Sequence, residues 1–409
     1  MKKGNTVLIF LVVIVFFSCK KEDPTGLKKG DWLANLTVLD QEKLPFNFRI
    51  ISSEKNKTVM EVYNAEEVIK VDEIEFKKDS VFIKLPIFEG FIVGKYTDTT
   101  ITGQFIKRSL DRVVPFNAVY GKKERFSITK KAVFNISGVW ETEFSGGAED
   151  GYMSKGIFAQ EGSNVTGTFR TTTGDYRYLE GVVNGNVVSF SAFDGAHAFL
   201  FKAKITDSTM HGTFYSGNHF KEPFVAKRNE SFELPDANDL TFLKDGYDSF
   251  DFSFPDETGK MVSLSDKRFT DKVVIVQIMG TWCPNCLDES KFLVDYLKEN
   301  SSKELEVVAL AFEYAKTKEK AYESIKRLKS RIGIKYPVLL AQYGTSDKVK
   351  AQKKLPMLNH VLSYPTSIFI DKKGGVRKIH TGFNGPATGS KYISFKKEFN
   401  SFVEKLVNE

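Results

Sequence analysis

The stretch Val273-Val-Ile-Val-Gln-Ile-Met-Gly-Thr-Trp-Cys-Pro-Asn-Cys-Leu-Asp-Glu289 decides how the C-terminal part of the chain folds. Apart from Gln277, the run Val273 to Ile278 is apolar and largely β-branched, the pattern of a buried strand. Gly280 and Thr281 break it. A helical pattern follows, with Leu293 and Leu297 on one face and Phe292 and Tyr296 beside them. Cys283 and Cys286 therefore sit where a strand turns into a helix. Unpaired amide groups and the positive end of the helix dipole stabilise a thiolate at such a place. Pro284 suits the first helical turn, where its missing N–H is not needed. A spacing of three residues lets Cys286 form a disulfide with Cys283, or attack a mixed disulfide held there.

A lone C-x-x-C is also compatible with half of a zinc site. No second C-x-x-C or C-x-x-H exists in the chain, so four-ligand zinc lacks donors and no metal is expected. Trp282 and the strand-to-helix setting narrow the reading. Gly280-Thr-Trp-Cys-Pro-Asn-Cys286 with Glu289 resembles the active site of thioredoxin-fold proteins. It is most similar to the TlpA/ResA-like extracytoplasmic thiol–disulfide oxidoreductases, in a Bacteroidetes-type branch.

The flanking sequence agrees. Leu305 to Phe312 reads as a second parallel strand. Lys318 to Ile332 is amphipathic, with Ala321, Ile325, Leu328 and Ile332 at helical spacing and Gly333 as its stop. Ser363-Tyr-Pro-Thr-Ser-Ile-Phe-Ile-Asp371 matches the family's cis-proline strand, which implies a cis Tyr364–Pro365 bond. Asp371 to Gly375 is a hairpin turn into a strand from Val376 to His380, and a last helix repeats Phe395, Phe399, Phe402 and Leu406. Phe252-Ser-Phe254 and Lys260-Met-Val-Ser-Leu264 resemble the family's N-terminal hairpin. The resemblance covers about residues 245–409 and implies an α/β thioredoxin fold.

It also implies roles. Cys283 is the nucleophile and Cys286 the resolving thiol. Pro365 lies beside the disulfide and holds the chain so that Tyr364 backbone groups can pair with a substrate strand. Trp282 shapes the apolar surface around Cys283, or simply packs. Glu289, one turn beyond Cys286, accepts or supplies its proton, unless it is an exposed surface acid. One departure matters: thioredoxin carries a buried Asp six residues before its first cysteine, and Gln277 stands there. Gln277 cannot exchange a proton near neutral pH. The Pro-Asn dipeptide leaves the direction of electron flow open, since the residues between the cysteines tune the potential; the family tilts it toward a reductase without a bound cofactor. A peroxidase is disfavoured because Thr281 stands two, not three, residues before Cys283. Copper handling is disfavoured by the short cysteine spacing with Pro365 opposite.

Composition bounds the remainder. The chain has 409 residues with 41% hydrophobic and 27% charged, an ordinary globular balance. Its net charge of +7 is dispersed, which sets nucleic-acid partners aside. Three cysteines exclude a disulfide-stapled scaffold. The third, Cys19, ends the leader MKKGNTVLIFLVVIVFFSC, in which Lys2 and Lys3 precede an apolar run from Val7 to Phe17. That run is shorter than the roughly 20 residues of a membrane span. Ser18-Cys19 resembles a bacterial lipobox, which implies cleavage before Cys19, its lipidation, and attachment to the cell envelope. The expected organisation is a signal peptide (1–18), a lipid-anchored linker (19–27), two β modules (28–130 and 131–235) and the redox domain (236–409). Its expected partners are protein disulfide substrates, a membrane thiol donor and the membrane itself.

Residues 27–235 show short alternating segments separated by Gly, Asn and Asp turns, with no long helical period. The stretch repeats itself at an offset of about 108 residues. Gly30-Asp-Trp32 aligns with Gly138-Val-Trp140, Phe76–Asp79 with Val183–Asn186, Ile101–Phe105 with Met210–Phe214, and Pro115–Ala118 with Pro223–Ala226. The expectation is an all-β region of two tandem antiparallel modules, as two small barrels or one larger one. His197, His211 and His219 fit no compact ligand set. The modules are left as a spacer, or as a binding region for an apolar ligand or partner.

Overall fold

The computed structural model describes residues 26–52, 57–145, 151–300 and 302–409. The leader and Cys19 lie outside the described residues. The chain is an all-β region of two antiparallel sheets followed by an α/β thioredoxin fold.

The two β sheets have nine strands each, and the strands run in the same sequential arrangement. They span Gly30–Tyr120 and Gly138–Arg228. The duplication extends to single hydrogen bonds. Trp32 Nε1 donates to Lys28 O at 3.0 Å, and Trp140 Nε1 donates to Ile136 O at 2.9 Å. Thr97 N donates to Thr100 O and Thr206 N to Thr209 O, both at 2.9 Å. Both tryptophans are fully buried, and each follows a glycine in the left-handed region two residues earlier (Gly30 φ 124°, Gly138 φ 117°).

The sheets differ in closure. In the second, Asn164–Thr171 pairs with Leu179–Asn184 as well as with Tyr152–Glu161, which closes an eight-stranded barrel. Eight strands leave an interior just wide enough for side chains to fill. Phenylalanines fill it: Phe201 stacks on Phe214 at 4.5 Å and Phe158 on Phe190 at 4.9 Å, beneath Trp140 and Phe144. Eight of the chain's 36 phenylalanines are buried in this core. The first sheet stays open between its end strands, Glu67–Val71 and Glu73–Lys77. An open strand edge invites unwanted pairing unless it is covered. At this seam, Arg331 pairs with Asp72 at 2.9 Å and Arg327 with Glu73 at 2.6 Å, both from the helix Lys318–Ile332 of the redox domain. The two β sheets also share core: Phe193 of the second stacks on Phe46 of the first at 4.2 Å.

The redox domain is a five-stranded sheet. Its order is Val338–Gln342, Leu305–Phe312, Val273–Met279, Thr366–Ile370, Val376–Thr381, the first three parallel, the fourth antiparallel to them and the fifth antiparallel to the fourth. The strand Val273–Met279 is central and buried at every position, as its apolar run requires. Helices Pro284–Glu299, Lys318–Ile332 and Ser390–Asn408 cover the faces. Gly333 ends the second of these at φ 78°. The edge strand Val338–Gln342 and the short helix Lys348–Gln352 are additions that no sequence pattern announced.

Candidate active site

Cys283 is the N-cap of the helix Pro284–Glu299. Its Sγ accepts a hydrogen bond from Cys286 N at 3.2 Å and donates to Tyr364 O at 3.3 Å. The two cysteines are free thiols. Cys283 keeps 7% of its surface and Cys286 none, so only the first can meet a partner. Burial, and then the neighbouring Cys283, push the Cys286 thiol well above its ordinary value. Cys286 therefore stays protonated until a base takes its proton.

The bond Tyr364–Pro365 is cis, and Pro365 is buried where the Tyr364 carbonyl meets Cys283. Trp282 is anchored by Nε1 to Phe312 O at 2.9 Å, with the rings of Tyr314 and Tyr364 at 5.5 and 5.6 Å. Glu289 is buried, not an exposed acid. Its carboxylate accepts from Gln277 Nε2 at 2.8 Å and Ser367 Oγ at 2.9 Å. Burial nevertheless pushes it up to about 7. Gln277, which cannot itself exchange a proton, thus holds a carboxylate that can.

A second acid escaped the sequence reading. Glu313 directly follows the strand Leu305–Phe312, is buried, and accepts from Thr281 N at 2.8 Å and Thr281 Oγ1 at 2.7 Å. Burial raises it to about 7 as well. Its signal was an acid at the carboxyl end of a strand parallel to the one that delivers Cys283, the end where α/β sites gather.

Glu289 gives a prediction with a definite sign. Its folded value of about 7 exceeds the ordinary 4.5, so the folded protein binds the proton more tightly. The stability this contributes is full below 4.5 and is lost as pH rises through 7. Glu289→Gln should therefore gain on the native protein by about 3 kcal/mol between those limits. Urea titrations at pH 4.5 and 8 check this; a difference that does not change with pH would contradict it. In stopped flow, the same variant should slow the second thiol step by on the order of a hundredfold.

The β region forms one wall of the site. The loop Thr171–Asp175 of the second barrel packs on the cysteine loop: Ser363 Oγ donates to Thr173 O at 2.9 Å, and a methyl group on Gly174 would collide with Asn285 Nδ2. Arg177 binds Glu67 of the first sheet, Asp194 of its own barrel at 3.3 Å, and Asp288 of the active-site helix, and also donates to Pro284 O at 3.3 Å. The surfaces meet around a cavity of about 1000 Å³ that reaches Cys283. Trp282 and Tyr364 line it, as do Phe105, Lys107 and Arg112 of the first sheet and Tyr176, Phe199 and Phe214 of the second. The modules are thus part of the site's surroundings and not a detached spacer. The segment that leads from the second barrel into the redox sheet also packs on it, with Thr381 N donating to Ala237 O at 2.8 Å. Of the three histidines, His197 pairs with Asp194 at 3.1 Å and His219 lines the cavity, while His211 lies on an outer strand position away from it.

Comparison with known proteins agrees with the geometry. Residues 246–379 match the AhpC/TSA family model. The chain is 29% identical over 140 residues to the thioredoxin-like protein YneN of Bacillus subtilis, covering 34% of this chain and 73% of that one. It is 26% identical over 140 residues to the thiol-disulfide oxidoreductase ResA of the same organism, covering 34% and 69%. Two solved structures are also similar. A thiol:disulfide interchange protein from Chlorobium tepidum has 22% identity and a TM-score of 0.29, over 39% of this chain and 94% of its own. A thiol-disulfide oxidoreductase from Bacteroides fragilis has 18% identity and a TM-score of 0.28, over 36% and 99%. The C-terminal domain of this chain is thus TlpA/ResA-like, similar to thiol–disulfide oxidoreductases of the thioredoxin superfamily.

Proposed function

We propose that the chain is an envelope-anchored reductase for disulfides in exported proteins. The observation that carries this is the asymmetry of the cysteine pair. Cys283 faces the cavity from a helix N-terminus, and Cys286 is buried behind it with its amide on the Cys283 sulfur.

The thiolate of Cys283 attacks one sulfur of the substrate disulfide. The substrate S–S bond breaks, a Cys283–substrate disulfide forms, and the departing substrate thiolate takes a proton. Cys286 then loses its proton to Glu289 and attacks Cys283 Sγ. The mixed disulfide breaks, and a Cys283–Cys286 disulfide remains. Two electrons have passed to the substrate, which leaves as a dithiol. A membrane dithiol donor returns the pair to its thiol form by the reverse exchange. The helix N-terminus favours each Cys283 thiolate state through its amides and dipole. Trp282 and Tyr364 supply an apolar surface, and the Tyr364 backbone aligns the incoming segment beside Pro365. Lipidation at Cys19 would hold the chain at the membrane, facing the exported proteins.

The test is turnover. Fully reduced protein, recycled by a dithiol, should reduce insulin disulfides faster than the dithiol alone. A protein that only oxidises dithiols, or does neither, would overturn the reading.

A further inference from the structure

We infer that the cavity between the β region and the redox domain is the substrate pocket, and that Lys107 and Arg112 select disulfides on peptide segments with a carboxylate next to the cysteine. This rests on the redox reading above and deepens it.

Three observations carry it. The cavity, at about 1000 Å³, sits at the upper end of the roughly 300–1,000 Å³ of small-ligand pockets. It has room for a short segment of chain and not for a folded domain. Cys283 lies in its wall, so a substrate sulfur must enter this space to react.

The charges on the wall are the second observation. Lys107 is 8% exposed, and the only hydrogen bond of its side chain among the described residues is to Ala196 O at 2.9 Å. Arg112, half-buried on the next strand, has no hydrogen bond or ion pair from its side chain among the described residues. Burial and the neighbouring Arg112 lower Lys107 to about 8, although the charges of Asp194 and Glu89 oppose this; neither makes an ion pair with it among the described residues. A buried cation without an acid is costly and is normally paired.

The cavity's own carboxylates are committed elsewhere, which is the third observation. Asp175 accepts from Gly385 N at 2.6 Å and Arg177 N at 2.7 Å, and Glu222 binds Tyr152 and Ser145. The missing counter-charge therefore has to come with the ligand. The aromatic lining of Phe105, Phe199, Phe214 and Trp282 adds an apolar preference along the same segment.

The experiment compares two short peptide disulfides that differ only by Glu or Gln beside the cysteine, with hydroxyethyl disulfide as a neutral small substrate. The reduced full chain should show a kcat/KM at least about tenfold higher for the Glu peptide, the scale of a hydrogen bond to a charged group. That preference should shrink as salt rises. Arg112→Gln and Lys107→Met should bring the ratio of the two peptides close to one, and Arg112→Lys should restore part of it. Equal rates for both peptides with the native protein would overturn the inference while leaving the redox reading intact, and this comparison needs no variant to fold. No turnover of any of the three disulfides would overturn the redox reading and the inference together. Oxidised glutathione, a small disulfide that carries carboxylates, is the last arm. If it is reduced faster than the Glu peptide, the peptide assignment is overturned.

Discussion

Replacing Cys283 with Ala should abolish disulfide-reductase turnover, a loss on the order of a thousandfold or more. The geometry allows no substitute. Cys286 has no exposed surface, so a substrate sulfur cannot approach it while the fold is intact. Burial also holds its thiol protonated, which removes the nucleophile even if access were gained. The fold should be little affected. The Cys283 side chain is small, and its Sγ makes two hydrogen bonds, one from Cys286 N and one to Tyr364 O. Turnover of insulin disulfides and a urea titration, run on the same preparation, separate the two effects. Residual turnover within tenfold of the native protein would place the chemistry elsewhere.

The second large effect is on assembly. Arg177→Met should destabilise the protein by about 3–5 kcal/mol, the cost of leaving buried charge without its partner. Arg177 is the cation shared by Glu67, Asp194 and Asp288, and all four side chains are nearly buried. Burial raises Asp194, but His197 and Arg177 outweigh it and hold that carboxyl well below the usual range. For a depressed carboxyl, the stabilisation is present above the unfolded value and is lost as pH falls through the folded one. The penalty of Arg177→Met should accordingly be largest near neutral pH and should shrink as the acids protonate. The three carboxylates come from the first sheet, the second barrel and the active-site helix, so denaturation should also separate into distinct steps. Arg177→Lys should recover only part of the loss, because an ammonium lacks the planar fork that reaches several acids at once. An unchanged midpoint at pH 7 would contradict this account of how the parts are joined.

What was legible in the sequence was local or repeated. The Cys283–Cys286 motif lies within one turn of helix, and the run before it alternates nothing because both faces of that strand are buried. Gly30 with Trp32 and Gly138 with Trp140 exposed the duplication because the same turn and the same buried indole recur in each copy. The pieces that escaped depend on contacts across the assembled chain. Closure of the second barrel turns on the pairing of Asn164–Thr171 with Leu179–Asn184, which no local pattern distinguishes from an open sheet. Arg177 stands in Asp175-Tyr-Arg-Tyr178, an ordinary loop sequence, and gains its role only from acids 110 residues before and 111 residues after it. The cavity follows the same rule. Lys107 and Arg112 carry no local signal and line the cavity only where the β sheets meet the redox domain.

The most direct test of the central claim is the fate of Cys286→Ser. Without its resolving sulfur, this variant should react once with a peptide disulfide and stop. Intact-mass measurement should find one disulfide-linked adduct per chain, and peptide mapping should place it on Cys283. A variant that remains free of adduct, or that carries it on Cys19, would contradict a mechanism in which Cys283 attacks and Cys286 resolves.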